Sequence, residues 1–326
     1  MTTFAPTRRH ALALGAAAST LALAGRLAAA EPLRVVASFS ILADMVRRVA
    51  GDRAVVTTLV GADQDMHGFD PAPSEVRALA EADLVVVNGL GFEGWVERLV
   101  EASGYAGPLV VATQSIAPLK GEEHEHDEEE SHEAHEDQHA EDDGHHHGAL
   151  DPHAWQSPAN GIRYVANIAD ALAAADPAHA DDYRSRAAAY AAEIEALDAE
   201  LAESFALLPQ DRRTVVVSHD AFGYLGEAYA LEVLAPVGVW GEADPSARDV
   251  AALIEQIREH RVCAVFVENI RDPRVIERIA EETGATVGGT LYSDALSAPD
   301  GPAPTYLDLL RHNAETLLSA LAPESS

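Results

Sequence analysis

Cysteine is almost missing from this chain: its 326 residues include one, Cys263. An internal disulfide is therefore excluded, and so is a zinc–thiolate site of the usual CxxC spacing. Cys263 sits in the apolar run Val262-Cys263-Ala264-Val265-Phe266-Val267, where a small core residue is expected. Basic residues are scarce as well, 22 against 54 acidic ones, for a formal net charge of −32. Such a chain repels nucleic acid and anionic lipid and attracts cations, so no nucleic-acid partner is expected. Long apolar runs are also lacking. The run from Ala11 to Ala24 has 14 residues, too short for a permanent membrane span, and no other stretch is long and apolar enough. No expected helix carries HExxH, the mark of many zinc hydrolases; the one string of that spacing, His135-Glu136-Asp137-Gln138-His139, lies in an acidic stretch with almost no apolar residues.

What is present begins with an address. Arg8 and Arg9 precede the short apolar run, and Ala28-Ala29-Ala30 supplies small residues for cleavage before Glu31-Pro32. A positive start, a short apolar core and a small-residue cut site read as a secretory signal over residues 1–30. Thr7-Arg8-Arg9 also fits a twin-arginine signal. Either route takes the mature chain out of the cytosol, and a periplasmic location is expected. No cysteine follows the apolar run, so no lipid anchor is expected.

Short apolar strands then alternate with helical patterns. Strands are expected at residues 33–38, 55–60, 84–87 and 109–112, with helices at 41–49, 74–81 and 92–102. The pattern returns with strands at 214–218, 232–236, 263–267 and 286–291 and helices at 221–230, 244–260, 272–283 and 305–321. Asp244 is the expected cap of the helix that Pro245 opens, and Gly284 the expected stop of the next one. Strands apolar on both faces belong to parallel sheets covered by helices. The fold class is therefore α/β, with two similar lobes, an N-terminal one over 31–180 and a C-terminal one over 209–326. Residues 181–207 are rich in alanine, glutamate and leucine and contain no glycine or proline. A single helix there, in a linking segment 181–208, would run roughly 40 Å and join the lobes stiffly.

One segment has almost nothing to bury. Residues 121–148 hold eight histidines (His124, His126, His132, His135, His139, His145, His146 and His147), thirteen acidic residues and no lysine or arginine. A disordered loop is expected. Interleaved imidazoles and carboxylates suit transient, low-affinity metal sites, so the loop reads as a metal collector; the plainer reading is a solvated acidic linker. Its uptake should weaken below about pH 6, as imidazoles protonate.

Four segments carry potential metal ligands, three of them directly after a strand. His67 lies in Gly61–Pro71, His153 in Asp151-Pro152-His153-Ala154-Trp155 after the acidic loop, His219 in Ser218-His219-Asp220-Ala221-Phe222, and Asp294 in Tyr292-Ser293-Asp294-Ala295-Leu296. Open α/β sheets bind ligands beyond the carboxyl ends of their strands. Two facing lobes would thus form a cleft, with His67 and His153 from one and His219 and Asp294 from the other. Three imidazoles and a carboxylate suit tetrahedral Zn²⁺, whereas Mn²⁺ favours more oxygen. His10, His179, His260 and His312 lie in signal, helical or polar contexts and read as structural.

These motifs bear a resemblance. His67-Gly68-Phe69-Asp70-Pro71-Ala72-Pro73, Asp151-Pro152-His153-Ala154-Trp155 with Pro158, Ser218-His219-Asp220-Ala221-Phe222-Gly223-Tyr224 and Tyr292-Ser293-Asp294-Ala295-Leu296 resemble, in order, the ligand motifs of the zinc- and manganese-specific solute-binding proteins of ABC importers, the ZnuA-like family. The similarity covers essentially the whole mature chain. It implies one tight Zn²⁺ site at His67, His153, His219 and Asp294, capture for an ABC permease, modest motion on binding, and a monomer that is not an enzyme. A periplasmic zinc chaperone is a further candidate partner. Manganese members typically carry glutamate at the third position, and His219 here favours zinc. Two departures stand out: some zinc members have a disulfide that this chain cannot form, and the family's Glu-Pro-Ser is Asp244-Pro245-Ser246.

Two other functions compete. A metallohydrolase would keep a coordination position open for water, which Asp294 would fill, and neither Asp220 nor Glu242 is marked as a base. A free periplasmic zinc buffer differs from an importer component only in whether a permease binds it.

Overall fold

The computed structural model describes residues 31–121, 150–238 and 245–323. The expected signal at 1–30, nearly all of the histidine-rich stretch 121–148, where a disordered loop was expected, and the expected cap Asp244 lie outside the described residues.

The first lobe is built from β1 (Leu33–Phe39), α1 (Ser40–Ala50), β2 (Ala54–Val60), α2 (Pro73–Ala80), β3 (Leu84–Val87), α3 (Val96–Ser103) and β4 (Leu109–Val111). Its four strands are all parallel, in the order β2-β1-β3-β4. The second lobe holds β5 (Thr214–Val216), α6 (Gly223–Tyr229), β6 (Glu232–Leu234), α7 (Ala247–His260), β7 (Ala264–Glu268), α8 (Arg274–Thr283) and β8 (Thr286–Leu291), followed by α9 (Tyr306–Leu321). Its parallel order, β6-β5-β7-β8, repeats the first. The central strands explain themselves: β3 is Leu-Val-Val-Val, buried at every position because helices cover both faces.

Two long helices lie between the sheets. The helix α5 (Ala180–Ala206) has 27 residues. It buries Tyr183, Ala187, Tyr190, Ile194, Leu197, Leu201 and Phe205, a stripe at three- and four-residue spacing. The helix α4 (Pro158–Ala175) was not expected from sequence. Pro158 opens it, and Tyr164, Val165, Ile168 and Leu172 form its buried face. Asn160-Gly161 reads locally as a turn signal, but the glycine answers a packing need. A Cβ at Gly161 would come within 2.2 Å of the Tyr306 hydroxyl oxygen, so only glycine lets α4 approach the start of α9 this closely.

One hydrophobic core runs from the first sheet through α4, α5 and α9 to the inner face of the second sheet. A separate, smaller cluster, with Leu253, Ile254, Ile257, Ile276 and Ile279, packs α7 and α8 on the outer face. The lobes therefore share a core, which makes the molecule stiffer than two bodies on a flexible hinge. Some boundaries shift from expectation. The helix expected at 92–102 begins only at Val96, because Phe92 and Glu93 are held in a turn at the end of β3. The α7 cap is Ser246, whose hydroxyl accepts the Asp249 amide at 3.2 Å while Asp249 returns to the Ser246 amide. Pro245 precedes the helix rather than opening it. Cys263 is half-buried at the edge of the core, just before β7. No helix among the described residues is long and apolar enough to cross a membrane.

Candidate metal centre

The fold gathers the four singled-out side chains. His67 sits on the loop from β2 to α2, His153 just before α4, His219 just after β5 and Asp294 just after β8. One possible ligand atom from each lies within 4.8 Å of the others. His67 Nε2 is 3.2 Å from Asp294 Oδ2, His219 Nε2 3.4 Å from the same oxygen, and His153 Nε2 3.4 Å from Asp294 Oδ1. The side chains are almost wholly removed from solvent, 3 % exposed for His67 and 0–1 % for the rest. All three Nε2 atoms and both Asp294 oxygens are buried without a hydrogen-bond partner. Buried polar groups are rarely left so, because each lost hydrogen bond to water costs about 1–3 kcal/mol. Five such atoms converging on one point are a donor set suited to a cation.

The other face of two imidazoles is held by carboxylates that sequence reasoning did not assign. Asp151 Oδ1 accepts the His153 backbone amide at 2.9 Å and faces its Nδ1 at 2.8 Å. Glu268, the last residue of β7, is buried. Its Oε1 accepts the amides of Ser218 and His219 at 2.8 and 2.9 Å, and its Oε2 lies 2.7 Å from His219 Nδ1. A carboxylate at Nδ1 favours a proton on that nitrogen, so Nε2 is the atom that would release its proton and offer its lone pair inward to a metal. Asp151 was within sight, in the motif of His153. Glu268 merely ends an apolar run, so it carried no motif.

Charge is balanced within the cluster. Burial opposes protonation of His219, but the negative charges of Glu268 and Asp294 outweigh it and raise its pKa to about 10. Burial likewise works against ionising Asp294 and Glu268. The His219 charge, with His153 for Asp294, outweighs that and holds Asp294 well below and Glu268 below the usual carboxylate range. The proton on His219 thus occupies the electrostatic role that a bound cation would take over.

A wall of aromatic rings closes one side. Phe39, Phe92 and Trp155 have centroids 4.9–5.1 Å apart, and Trp155 and Phe92 lie 5.2 and 5.8 Å from the His153 ring. Trp155 and Gln156 also donate to the Ser293 carbonyl, both at 2.9 Å, which fixes the Asp294 segment against the first lobe. Beneath His153, Asn88 donates to the Pro152 carbonyl at 2.9 Å and accepts from the Tyr164 hydroxyl. The remaining described histidines stay apart from the cluster. His179 pairs with Asp176 and Arg53, His260 faces Glu232, and His312 meets the Thr290 carbonyl. His10 and Glu242 lie outside the described residues.

A model of the family described as "ZnuA: Zinc-uptake complex component A periplasmic" matches residues 35–320. The chain belongs to this family. Membership makes it a metal-binding substrate-binding protein for uptake, which acts outside the cytoplasm and is not an enzyme; several relatives are named as substrate-binding lipoproteins of metal ABC transporters. The iron-binding protein YfeA of Yersinia pestis is 34 % identical over 288 residues, 88 % of this chain and 86 % of YfeA. The manganese-bound periplasmic metal-binding protein of Candidatus Liberibacter asiaticus superposes with a TM-score of 0.75 at 31 % identity, covering 88 % of this chain and 99 % of that one. The periplasmic zinc-binding protein TroA of Treponema pallidum gives a TM-score of 0.77 at 26 % identity over 90 % of this chain and all of its own. These three similar proteins are thus described with iron, manganese and zinc respectively.

Proposed function

We propose that this protein captures Zn²⁺ through His67, His153, His219 and Asp294 and delivers it to the permease of an ABC importer. The observation that carries the reading is the convergence of three buried, unpartnered imidazole nitrogens with a carboxylate between two lobes. Three nitrogens and one oxygen complete a tetrahedral shell, which suits zinc and leaves no position for a catalytic water. The sets of metals named for the relatives support a transition-metal cargo; the nitrogen-rich shell supports zinc among them.

A manganese or ferrous reading has one observation in its favour. Both Asp294 oxygens are free of hydrogen bonds, so the carboxylate can bind through two atoms and supply the extra oxygen that such ions prefer. The aspartate would then make a five-atom shell.

Residues 1–30 serve as the export signal in this reading, and the histidines of 121–148 collect metal weakly. The two ends of that insertion support a link to the site. Lys120 and Leu150 pair as an isolated antiparallel bridge, and the Tyr224 hydroxyl accepts the Leu119 amide and donates to the Asp151 carbonyl, both at 3.0 Å. The insertion therefore returns to the chain three residues before His153.

The test is calorimetric titration of the mature protein and of a 121–148 deletion with Zn²⁺, Mn²⁺ and Fe²⁺, with bound metal counted by elemental analysis. One tight Zn²⁺ site in both proteins, plus weak sites only in the intact one, is the expected result. Loss of the tight site with the deletion would move the function into the insertion, and tighter Mn²⁺ or Fe²⁺ binding would change the cargo.

A further inference from the structure

The end of β7 and the segment after it reach His219 in one lobe and the loop that carries His67 in the other. Glu268 holds His219, as described above. One residue on, the Asn269 side-chain amide donates to Asp63 Oδ1 at 3.1 Å. Two residues further, Arg271 Nη1 lies 3.6 Å from Asp65 Oδ2. Asp63 and Asp65 belong to the loop of the other lobe that carries His67.

In its own lobe that loop is held by apolar packing, with Met66 buried in the core and the Phe69 ring 4.9 Å from that of Trp95, while its hydrogen bonds there are local. Gly61 donates to Gln64, His67 to Asp65 Oδ1 at 2.9 Å, and Phe69 to the Met66 carbonyl, all within the loop itself. Polar contacts tie it across the cleft as well. Asp63 donates its amide to the Leu296 carbonyl at 2.9 Å and accepts the Ala298 amide at 3.1 Å. The Asp63 backbone has φ +52, a left-handed conformation that needs such support. Asp65 then works in two directions. One oxygen fixes the His67 backbone and the other faces Arg271.

Arg271 is a committed partner. Its side chain is 21 % exposed, and among the described residues neither Nε nor Nη2 has a hydrogen-bond partner. It also lines the small cavity that His219 lines. A partly buried guanidinium with two idle nitrogens is held by attraction to the Asp65 carboxylate, not by a web of bonds.

We propose that Arg271 is a positioning residue for metal retention: its ion pair with Asp65 latches the His67 loop across the cleft, and opening this latch sets how fast the metal leaves. The inference rests on the metal-capture reading. Binding needs the loop only to arrive, whereas escape needs it to lift, so the latch acts on dissociation and hardly on association. The site is partly exposed, so the pair is worth a modest factor. Salt screens it, and wild-type dissociation should quicken as ionic strength rises.

The experiment loads wild type, Arg271→Gln, Arg271→Lys, Asp65→Asn and the Arg271→Gln/Asp65→Asn double variant with Zn²⁺, then chases with excess EDTA in a stopped-flow instrument at two salt concentrations. Apo melting temperatures are recorded for each. Arg271→Gln and Asp65→Asn should each speed release about fivefold with association unchanged. The double variant should release no faster than either single one, Arg271→Lys should recover most of the wild-type rate, and salt should lose its effect in Arg271→Gln. The inference is overturned if wild type holds Zn²⁺ but Arg271→Gln releases it at the wild-type rate, or if the two substitutions act additively. A wild type that holds no metal would instead overturn the capture reading beneath it.

Discussion

Glu268→Gln separates a side chain that shapes the site from one that merely fills space. The carboxylate faces three nitrogens with two oxygens: Oε1 accepts the Ser218 and His219 amides, and Oε2 lies 2.7 Å from His219 Nδ1 as an ion pair. Glutamine has one acceptor oxygen. If it stays with the two amides, the NH₂ group faces Nδ1, which must then accept. The ring proton moves to Nε2, the atom that should give its lone pair to the metal. If the side chain flips, the NH₂ group meets two buried backbone N–H groups, and each unsatisfied donor costs about 1–3 kcal/mol. The first outcome weakens metal binding and the second weakens the fold. Loss of a carboxylate behind a ligating histidine typically lowers affinity by about 10–100-fold, or roughly 1.4–2.7 kcal/mol. Competition with a chromogenic chelator reads the affinity, and apo thermal unfolding reads the fold. Glu232→Gln, at a half-exposed acid on β6, is the control and should change neither by much. If Glu268→Gln binds Zn²⁺ within about twofold of wild type while melting at the wild-type temperature, the proposed tautomer control is wrong.

Other outcomes follow from the same geometry. His153→Ala or His219→Ala should each cut Zn²⁺ affinity sharply, read by titration, whereas His312→Ala, whose ring meets the Thr290 carbonyl, Thr316 and the Tyr292 ring and lies apart from the cluster, should not. Gly161→Ala drives a methyl into the Tyr306 hydroxyl and should destabilise by about 1–3 kcal/mol in denaturant unfolding; adding Tyr306→Phe should recover part of the loss. Asp44, half-buried where α1 meets α5 and α9, has its pKa raised, since desolvation outweighs the Tyr306 amide, Arg48, Arg47 and Tyr190. A carboxyl whose folded pKa is raised contributes stability below its unfolded pKa near 3.8 and loses it as pH rises past the folded value. Asp44→Asn should therefore melt higher than wild type at pH 7, with the gap closing as pH falls below about 3.8, where Asp44 is neutral in both states.

Much of this molecule could be read before its coordinates. The apolar strands announced parallel sheets because residues such as Leu84 to Val87 have no polar side to offer water. The four residues that the fold gathers stood out because three directly follow strands, where open sheets build sites. The helix α4 escaped notice because its glycine, locally a breaker, answers a contact with Tyr306, whose own number is far away in sequence. Glu268 and Arg271 escaped for a related reason. Their partners, His219 and Asp65, lie about fifty and two hundred residues away, and nothing in a local pattern encodes a distance of that kind. What the sequence made legible was local: period, punctuation and ligand chemistry. Long-range electrostatic pairing had to be seen in the fold.

The central claim is that one divalent metal ion sits between the lobes on His67, His153, His219 and Asp294. Anomalous diffraction from crystals of the zinc-loaded protein, measured on either side of the zinc absorption edge, tests it most directly. The account predicts one strong peak per chain, about 2.0–2.2 Å from the three Nε2 atoms and from an Asp294 oxygen. A peak elsewhere, or none at this position in protein that elemental analysis shows to hold zinc, would contradict it.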